Sequence, residues 1–377
     1  MQFAEIPGLA EIKKSLISSY ENNHIAHAQL FSGVEGGGAL PMAMAFITFL
    51  MCGDKQATDS CGVCDNCQRM KKLIHPDVHY FFPKLSMSKQ TEADKHHAST
   101  QKNWRQFVSE TPFGGIGNWV SINGFDNKNM IITKEESRRI IKTVSMKSFE
   151  GDFKILLIWC PEYMHPSAAN GILKVLEEPP TQTIYILVSY AYESLLPTIK
   201  SRVQLFSIPP LSDDEVQFYL ENKLQANIAK AKQVSRMSGG SIGKAIEELE
   251  SIGEVAYQNF QSWMRLCLSR DFTTLSQLSE DFAKSTKPDQ RNTLAFGLTL
   301  VREAILSKSG EDSFIVREGD EKTFIVKFGG AISLEALENV YFELSKALRN
   351  LSRNANAKIT FMTLSLSISE QIAKRAA

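Results

Sequence analysis

Residues 33–40 read GVEGGGAL. Gly33 and Gly38 have the spacing of a phosphate-cradling loop, G-x-x-x-x-G-K-[ST], whose backbone N–H groups wrap phosphate oxygens. Gly36 and Gly37 lie inside it, the lysine position holds Ala39, and the hydroxyl position holds Leu40. In working loops the lysine pairs with the β- and γ-phosphates and the hydroxyl binds Mg²⁺. Such ATPases also need a second apolar strand ending in acids. KILLI (154–158) is a strand of that kind, and Trp159 and Cys160 stand where the acids belong. The nearest carboxylate, Glu162, lies beyond Pro161. Phosphoryl transfer rests on positioning and electrostatics, so losing lysine, hydroxyl and both acids together predicts no ATP hydrolysis. A glycine nest attracts anions without side chains, which leaves weak nucleotide binding open. The plain alternative is a glycine turn without a ligand.

A second constellation is C-x-x-C-x-x-C at Cys61, Cys64 and Cys67, with Cys52 upstream. Four thiolates close a tetrahedral zinc shell, and a shell with no open position is structural. Iron–sulfur binding is the rival. Its bacterial run continues x-x-x-C-P after the third cysteine, where this chain has Lys71. His75 and His79 are further potential ligands, though four cysteines suffice. The plain alternative leaves three thiols free and Cys52 as a core residue at a helix end. Cys160 and Cys267 are isolated and expected to be buried.

The elements that must position these residues follow from pattern. AQLFSG (28–33) is a short apolar run stopped by glycine, a buried strand. LPMAMAFITFLMC (40–52) is helical, with Pro41 tolerated in its first turn. Strand, glycine loop, helix is the context a phosphate loop requires. EIKKSLISSYENN places Ile12, Leu16, Ile17 and Tyr20 on one helical face. ITKEESRRIIKTVSM begins with a capping-box pattern, Thr133 and Glu136, and has a face of Ile140, Ile141 and Val144. KILLIW and TIYILVSY are buried strands around the helix SAANGILKVLEE, and VQLFSI is a third, short strand. Residues 82–130 look polar and irregular, an insertion expected to be partly mobile. After Pro209-Pro210 and the capping box SDDE (212–215) the pattern is helical, broken at SGGS (238–241). Leu334, Leu337, Val340, Tyr341, Leu344, Leu348 and Leu351 keep helical spacing, whereas EDSFIVREGDEKTFIVKF (311–328) alternates and suggests a small hairpin or ordered loop.

The bulk numbers fit this picture. A chain of 377 residues is expected to hold two or three domains. Apolar content of 43% and charged content of 22% are ordinary for a globular protein. Formal net charge is zero, so no global attraction to nucleic acid or membrane follows. No apolar run reaches the roughly 18 residues of a membrane span, and MQFAEIPGLAEIKK lacks an apolar signal core. The expected location is cytoplasmic, where clustered cysteines bind metal more often than they form disulfides.

HAQLFSGVEGGGAL, CGVCDNC, NGILKVLEEPP and LLPTIKSRVQ occur in an order that resembles the bacterial clamp-loader AAA+ subunits of DNA polymerase III. The resemblance covers residues 1–250 well and the C-terminus loosely, where RNANAKITFMTLSLSI (353–368) looks like the end of the family's collar domain. It implies an AAA+ parallel-sheet α/β domain over 1–208, carrying the zinc module (52–75) and the insertion (about 82–130). A small helical lid over 209–250 and a helical collar and oligomerisation domain over 251–377 would follow. The Walker B acids fall on Trp159 and Cys160, sensor 1 near Ser189, and sensor 2 on Gly243 beside Lys244. The S-R-C arginine finger falls on Ser201, Arg202 and Val203, and the zinc cysteines on Cys52, Cys61, Cys64 and Cys67. HPDVHYF (75–81) looks like the family's segment after the zinc module.

An ATPase subunit of the gamma/tau kind needs the lysine and the acids. The delta-prime kind can lose them yet keeps the arginine, which serves a neighbour's ATP. The resemblance therefore implies a chain that is no enzyme by itself, a component of the DNA polymerase III holoenzyme. Its partners would be the gamma/tau and delta subunits, with the sliding clamp and primed DNA reached through the assembled complex. Two alternatives remain: an ATP-hydrolysing gamma/tau-like subunit with a divergent site, and a stand-alone zinc adaptor. For Arg202 the competing assignment is a surface ion pair with Glu177 or Glu178.

Overall fold

The computed structural model describes residues 1–85, 90–124, 130–146, 148–250, 253–309, 319–353 and 355–373. The chain divides into two compact units, Met1–Ile246 and Glu247–Ala377. The helices expected to form a separate lid thus begin within the first unit.

The first unit is built on a five-stranded sheet. Its strands are β1 (Ala28–Ser32), β2 (Val78–Phe81), β5 (Lys154–Trp159), β6 (Thr183–Ser189) and β7 (Gln204–Ser207); a separate antiparallel pair is β3 (Lys84–Leu85) with β4 (Met130–Ile131). The order β2-β5-β6-β1-β7 is parallel throughout. Four of these five strands follow from apolar runs in the sequence. β2 was not legible there, because it is a four-residue edge strand interrupted by His79.

The connecting helices are α1 (Ala10–Glu21), α2 (Ala39–Met51), α3 (Asp65–Lys71), α4 (Gln90–Glu110), α5 (Ile116–Asn123), α6 (Lys134–Ser145), α7 (Pro166–Glu177) and α8 (Pro197–Lys200). Alternation along β5 sends Ile155, Leu157 and Trp159 to the face covered by α2. Leu156 and Ile158 point to the opposite face, with Ile140 and Val144 of α6 and Ile172 and Leu176 of α7. All thirteen residues of α2 are buried, which is why its sequence is apolar all round.

The segment 82–130 corrects the sequence reading. Its described residues hold α4 and α5, flanked by β3 and β4, with Leu85 opposite Met130. Trp104, Phe107 and Val108 make the buried face of α4. The helix was obscured because QTEADKHHAST, its first half, has no apolar stripe. The capping box at Thr133 is half formed. Thr133 Oγ1 accepts from the Glu136 N–H at 3.4 Å, while the Glu136 carboxylate pairs instead with buried Lys84 at 3.0 Å.

Helices α9 (Asp213–Leu224), α10 (Ile228–Ser238) and α11 (Ile242–Glu250) follow. The box at Ser212 forms in both directions: Ser212 N–H donates to Glu215 Oε2 at 2.8 Å, and Glu215 N–H to Ser212 Oγ at 3.3 Å.

The second unit consists, among the described residues, of helices α12 (Gly253–Ser269), α13 (Phe272–Lys284), α14 (Lys287–Lys308), α15 (Gly319–Ala331), α16 (Leu334–Ser352) and α17 (Ala357–Ala373). Leu337, Val340, Leu344 and Leu351 of α16 are buried as their spacing predicts, while Leu334 and Tyr341 are exposed. Trp263 stacks on Phe361 at 4.6 Å and donates to Ser365 Oγ at 2.9 Å. The expected hairpin at 311–328 is a helix from Gly319 onward; residues 311–318 lie outside the described residues.

Candidate functional site

Parallel α/β sheets bind ligands beyond the carboxyl ends of their strands. Ser32, Ser189 and Ser207 are in register at that edge, and Trp159 pairs with Val188 beside them. The loop 33–38 therefore leaves β1 where a nucleotide would sit. Gly38 is the N-cap of α2, and Gly36 has φ of +75°, which a side chain tolerates poorly.

The positions that should carry chemistry are packed shut. Ala39, Leu40, Trp159 and Cys160 are at most 1% exposed. Trp159 donates from Nε1 to Tyr190 Oη at 3.1 Å, and its ring lies 5.3 Å from Trp104 and 5.2 Å from Phe107. Trp119 and Tyr190 close the cluster, each 6.2 Å from Trp159. Trp104, Phe107 and Trp119 all come from the insertion. Ser189, expected near sensor 1, is fully buried and its hydroxyl accepts from the Ala191 N–H at 3.2 Å.

Two carboxylates approach this region, and one of them the sequence left out of account. Glu35, inside the loop, accepts from the Ile116 N–H at 2.6 Å, at the start of α5. Glu162 Oε1 accepts from the Tyr190 N–H at 3.1 Å, and its Oε2 is buried without a partner. Burial raises the Glu162 pKa above the ordinary glutamate value, against the hydrogen bonds that lower it, and Glu35 adds to the rise. Burial likewise pushes Cys160 and Tyr190 well up. This is an environment that disfavours charge, the opposite of a magnesium site.

The loop is also covered from the far side. Gly243 N–H donates to Gly36 O at 2.9 Å, and Ser241 Oγ donates to Glu35 O at 2.8 Å. A Cβ on Gly243 would come within 2.3 Å of Phe113 O, so this backbone leaves no room for an arginine at the sensor-2 position.

The cysteine cluster forms as expected. The sulfurs of Cys52, Cys61, Cys64 and Cys67 all lie within 4.8 Å of one another. Three of the separations are 3.6, 4.0 and 3.9 Å. Sulfurs about 2.3 Å from a central zinc stand about 3.8 Å apart in a tetrahedron, so donor set and spacing fit a metal of that kind. The group contains no histidine; His75 Nδ1 instead accepts from the Asp77 N–H at 3.2 Å. Cys52 caps the end of α2 and Cys64 the start of α3, so two helices fix two corners. Cys61 N–H donates to Cys52 Sγ and Cys64 N–H to Cys61 Sγ, both at 3.3 Å. Asp59 ties the module to the N-terminus by accepting from the Phe3 and Ala4 N–H groups at 3.1 and 2.9 Å. Cys160 and Cys267 are buried away from the cluster.

Arg202 follows the short helix α8, half-buried. Its guanidinium donates to Glu177, to Thr198 O at 2.8 Å and to Ser201 Oγ at 3.1 Å. The ion pair raised as the competing assignment is thus present. A concavity of about 460 Å³ beside edge strand β2 is lined by Arg105, Arg139 and Lys142, a local positive patch that zero net charge conceals.

A family model described as "DNA polymerase III, delta subunit" matches residues 8–212, more than half of the chain. The chain belongs to that family. Similar curated relatives are DNA polymerase III delta' subunits. That of Escherichia coli K12 is 23% identical over 261 residues, covering 69% of this chain and 64% of the relative. That of Bacillus subtilis 168 is 24% identical over 237 residues, covering 60% and 58%. That of Buchnera aphidicola from Schizaphis graminum is 24% identical over 224 residues, covering 59% and 55%. The chain thus matches between about half and two thirds of the length of these relatives. A Thermotoga maritima DNA polymerase III gamma subunit-related protein of known structure aligns over 96% of this chain and 99% of its own, at 14% identity and a TM-score of 0.38. The resemblance drawn from LEEPP, the cysteines and the SR pair is borne out as delta-prime family membership. Among the described residues no helix is long and apolar enough to cross a membrane.

Proposed function

We propose that this chain is the non-hydrolysing, delta-prime-type arm of a clamp loader. It holds one structural zinc on Cys52, Cys61, Cys64 and Cys67 and lends Arg202 to the ATP site of a neighbouring gamma/tau subunit. The observation that carries this reading is the filled site: Ala39, Leu40, Trp159 and Cys160 are buried where a lysine, a hydroxyl and two acids would face a nucleotide. The zinc supplies only cross-linking. Its four ligands would hold the 52–75 loop, which has no large core of its own, and metal binding adds directly to folding free energy.

Arg202 costs little to redeploy. A solvent-exposed ion pair contributes roughly 0–1 kcal/mol, and Glu177 is 46% exposed. A planar, always-charged guanidinium placed on a γ-phosphate stabilises the charge that develops there. Supplied in trans, it is worth about 10³–10⁵ in rate in other NTPases. On this reading Ser201 positions the arginine, residues 209–250 act as a lid, and the helices of 251–377 bind the gamma/tau and delta partners in the cytoplasm.

The alternative of a rebuilt ATPase would need Glu162 as its acid. The burial of Glu162, its hydrogen bond to Tyr190 and the commitment of Glu35 to α5 disfavour that. Two measurements test the proposal: MgATP turnover by the purified chain, and its capture by the organism's gamma/tau and delta subunits. Capture without turnover is expected. Magnesium-dependent hydrolysis by the chain alone sinks the proposal, and a zinc-bound chain that captures neither subunit would favour the adaptor reading.

A further inference from the structure

Three of the positions that the family resemblance assigns to the nucleotide site, the glycine loop, the Walker B position and the sensor-2 position, are met by one stretch of this same chain. At the loop, the Glu35 carboxylate caps the first turn of α5 through Ile116 N–H at 2.6 Å. At the Walker B position, Trp159 lies among Trp104, Phe107 and Trp119. Beyond the sensor-2 position, Phe113 sets its ring 5.1 Å from Tyr219 of α9, and its carbonyl oxygen fills the space beside Gly243. Phe113 itself is 2% exposed. Residues 104–119 therefore touch the glycine loop, the end of β5 and the helices after Pro210 at once.

We infer that residues 104–119 are the resident occupant of the retired nucleotide site. They hold the glycine loop against α9 and α11 permanently, where a nucleotide would hold them conditionally. The inference rests on the reading of the site as non-hydrolysing and extends it: the chain has exchanged a removable ligand for a covalently attached one. An attached segment replaces a bimolecular encounter with a high effective concentration, so millimolar nucleotide has no vacancy to fill. The arm then keeps one closed geometry through every ATP cycle of its neighbours.

The test is amide hydrogen exchange on the full zinc-loaded chain, with and without 5 mM-scale (about 1000-fold excess) MgADP or MgATP. In the unsubstituted chain, the amides of 33–40 and 240–246 are expected to be protected, and nucleotide to change neither. Phe113→Ala should raise exchange in both stretches by about tenfold or more, and Glu35→Gln, separately, by about two- to fivefold, while β5 and β6 stay as they were. Glu35→Gln keeps the size of the side chain and loses only the charge at the start of α5, so it does not depend on surviving a cavity. Unaltered protection at 33–40 and 240–246 in both variants overturns the inference, as does nucleotide-induced protection of the loop in the unsubstituted chain. Neither result implies turnover, so each is distinct from hydrolysis by the lone chain, which would overturn the proposed function itself.

Discussion

Replacing Trp159 by alanine should destabilise the first unit by about 4 kcal/mol. The side chain is fully buried. A buried tryptophan removes about 150–250 Å² from water, worth roughly 4–6 kcal/mol at 25 cal/mol per Å². That figure is an upper bound, because the unfolded chain already hides some of this surface. Measured Trp→Ala changes in cores run about 3–5 kcal/mol. Trp159→Phe keeps an aromatic body against Trp104 and Phe107 and loses the hydrogen bond to Tyr190, so about 1–2 kcal/mol is expected. Trp159→Asp places an acid where the family resemblance puts the first Walker B carboxylate. It should be the worst of the three, because it adds an unpaired carboxylate to a pocket that already pushes Cys160, Glu162 and Tyr190 upward. The new carboxyl would have a raised folded pKa, so its penalty grows as pH rises from 4 toward 7. The assay is urea unfolding of the full chain at several pH values, with tryptophan emission as the signal. Trp104, Trp119 and Trp159 report on this cluster and Trp263 on the second unit. Thermal midpoints should fall by about 2–4 °C per kcal/mol for a unit of this size. If Trp159→Asp were as stable as the parent chain and gained magnesium-dependent nucleotide binding, the account of a filled site would be refuted.

Asp77 accepts from Phe149, Glu150 and Gly151 N–H at 2.5, 2.8 and 2.8 Å. These bonds hold its pKa below the usual aspartate value, against a burial effect that raises it. Its stabilisation is therefore present above that ordinary value and lost as pH falls through the folded one. Asp77→Asn should cost about 3–5 kcal/mol at pH 7 in a denaturant titration and progressively less under acid. Glu162 has the opposite sign. Its pKa is raised, so its contribution is full below the ordinary glutamate value and is lost as pH climbs through the folded one. Glu162→Gln should gain stability relative to the parent chain as pH rises, and a pH-independent difference would count against the buried carboxyl. Cys64→Ser should take bound zinc from one equivalent to none by elemental analysis and speed exchange across 52–75, leaving β5 and β6 protected.

The sheet and the glycine loop were legible because their signals are local. KILLIW and TIYILVSY are continuous apolar runs bounded by breakers, and the loop's glycines sit between a strand and a helix. Trp159 could be recognised as the wrong residue for an acid, but what it touches could not be read. Its partners Trp104, Phe107 and Trp119 lie at least forty residues earlier in a stretch whose polar first half hides a helix, and no spacing rule links them. Glu35 is silent in the sequence for the same reason: a carboxylate in a glycine loop gives no sign that it caps a helix eighty-one residues on. For α15, Phe324 and Phe328, four residues apart, fit either an alternating or a helical pattern over so short a run. Packing decided it, with Phe324 and Phe328 stacked at 5.6 Å as neighbours one helical turn apart.

The central claim concerns Arg202, and one measurement addresses it directly: the DNA-stimulated ATPase of a reconstituted complex with the organism's gamma/tau and delta subunits, carrying either the parent chain or Arg202→Ala. The expected result is normal assembly by size-exclusion chromatography and turnover at the adjacent site reduced by about 10³-fold or more. Full turnover per assembled complex with Arg202→Ala would mean that the guanidinium serves only its ion pair with Glu177, and would contradict the account.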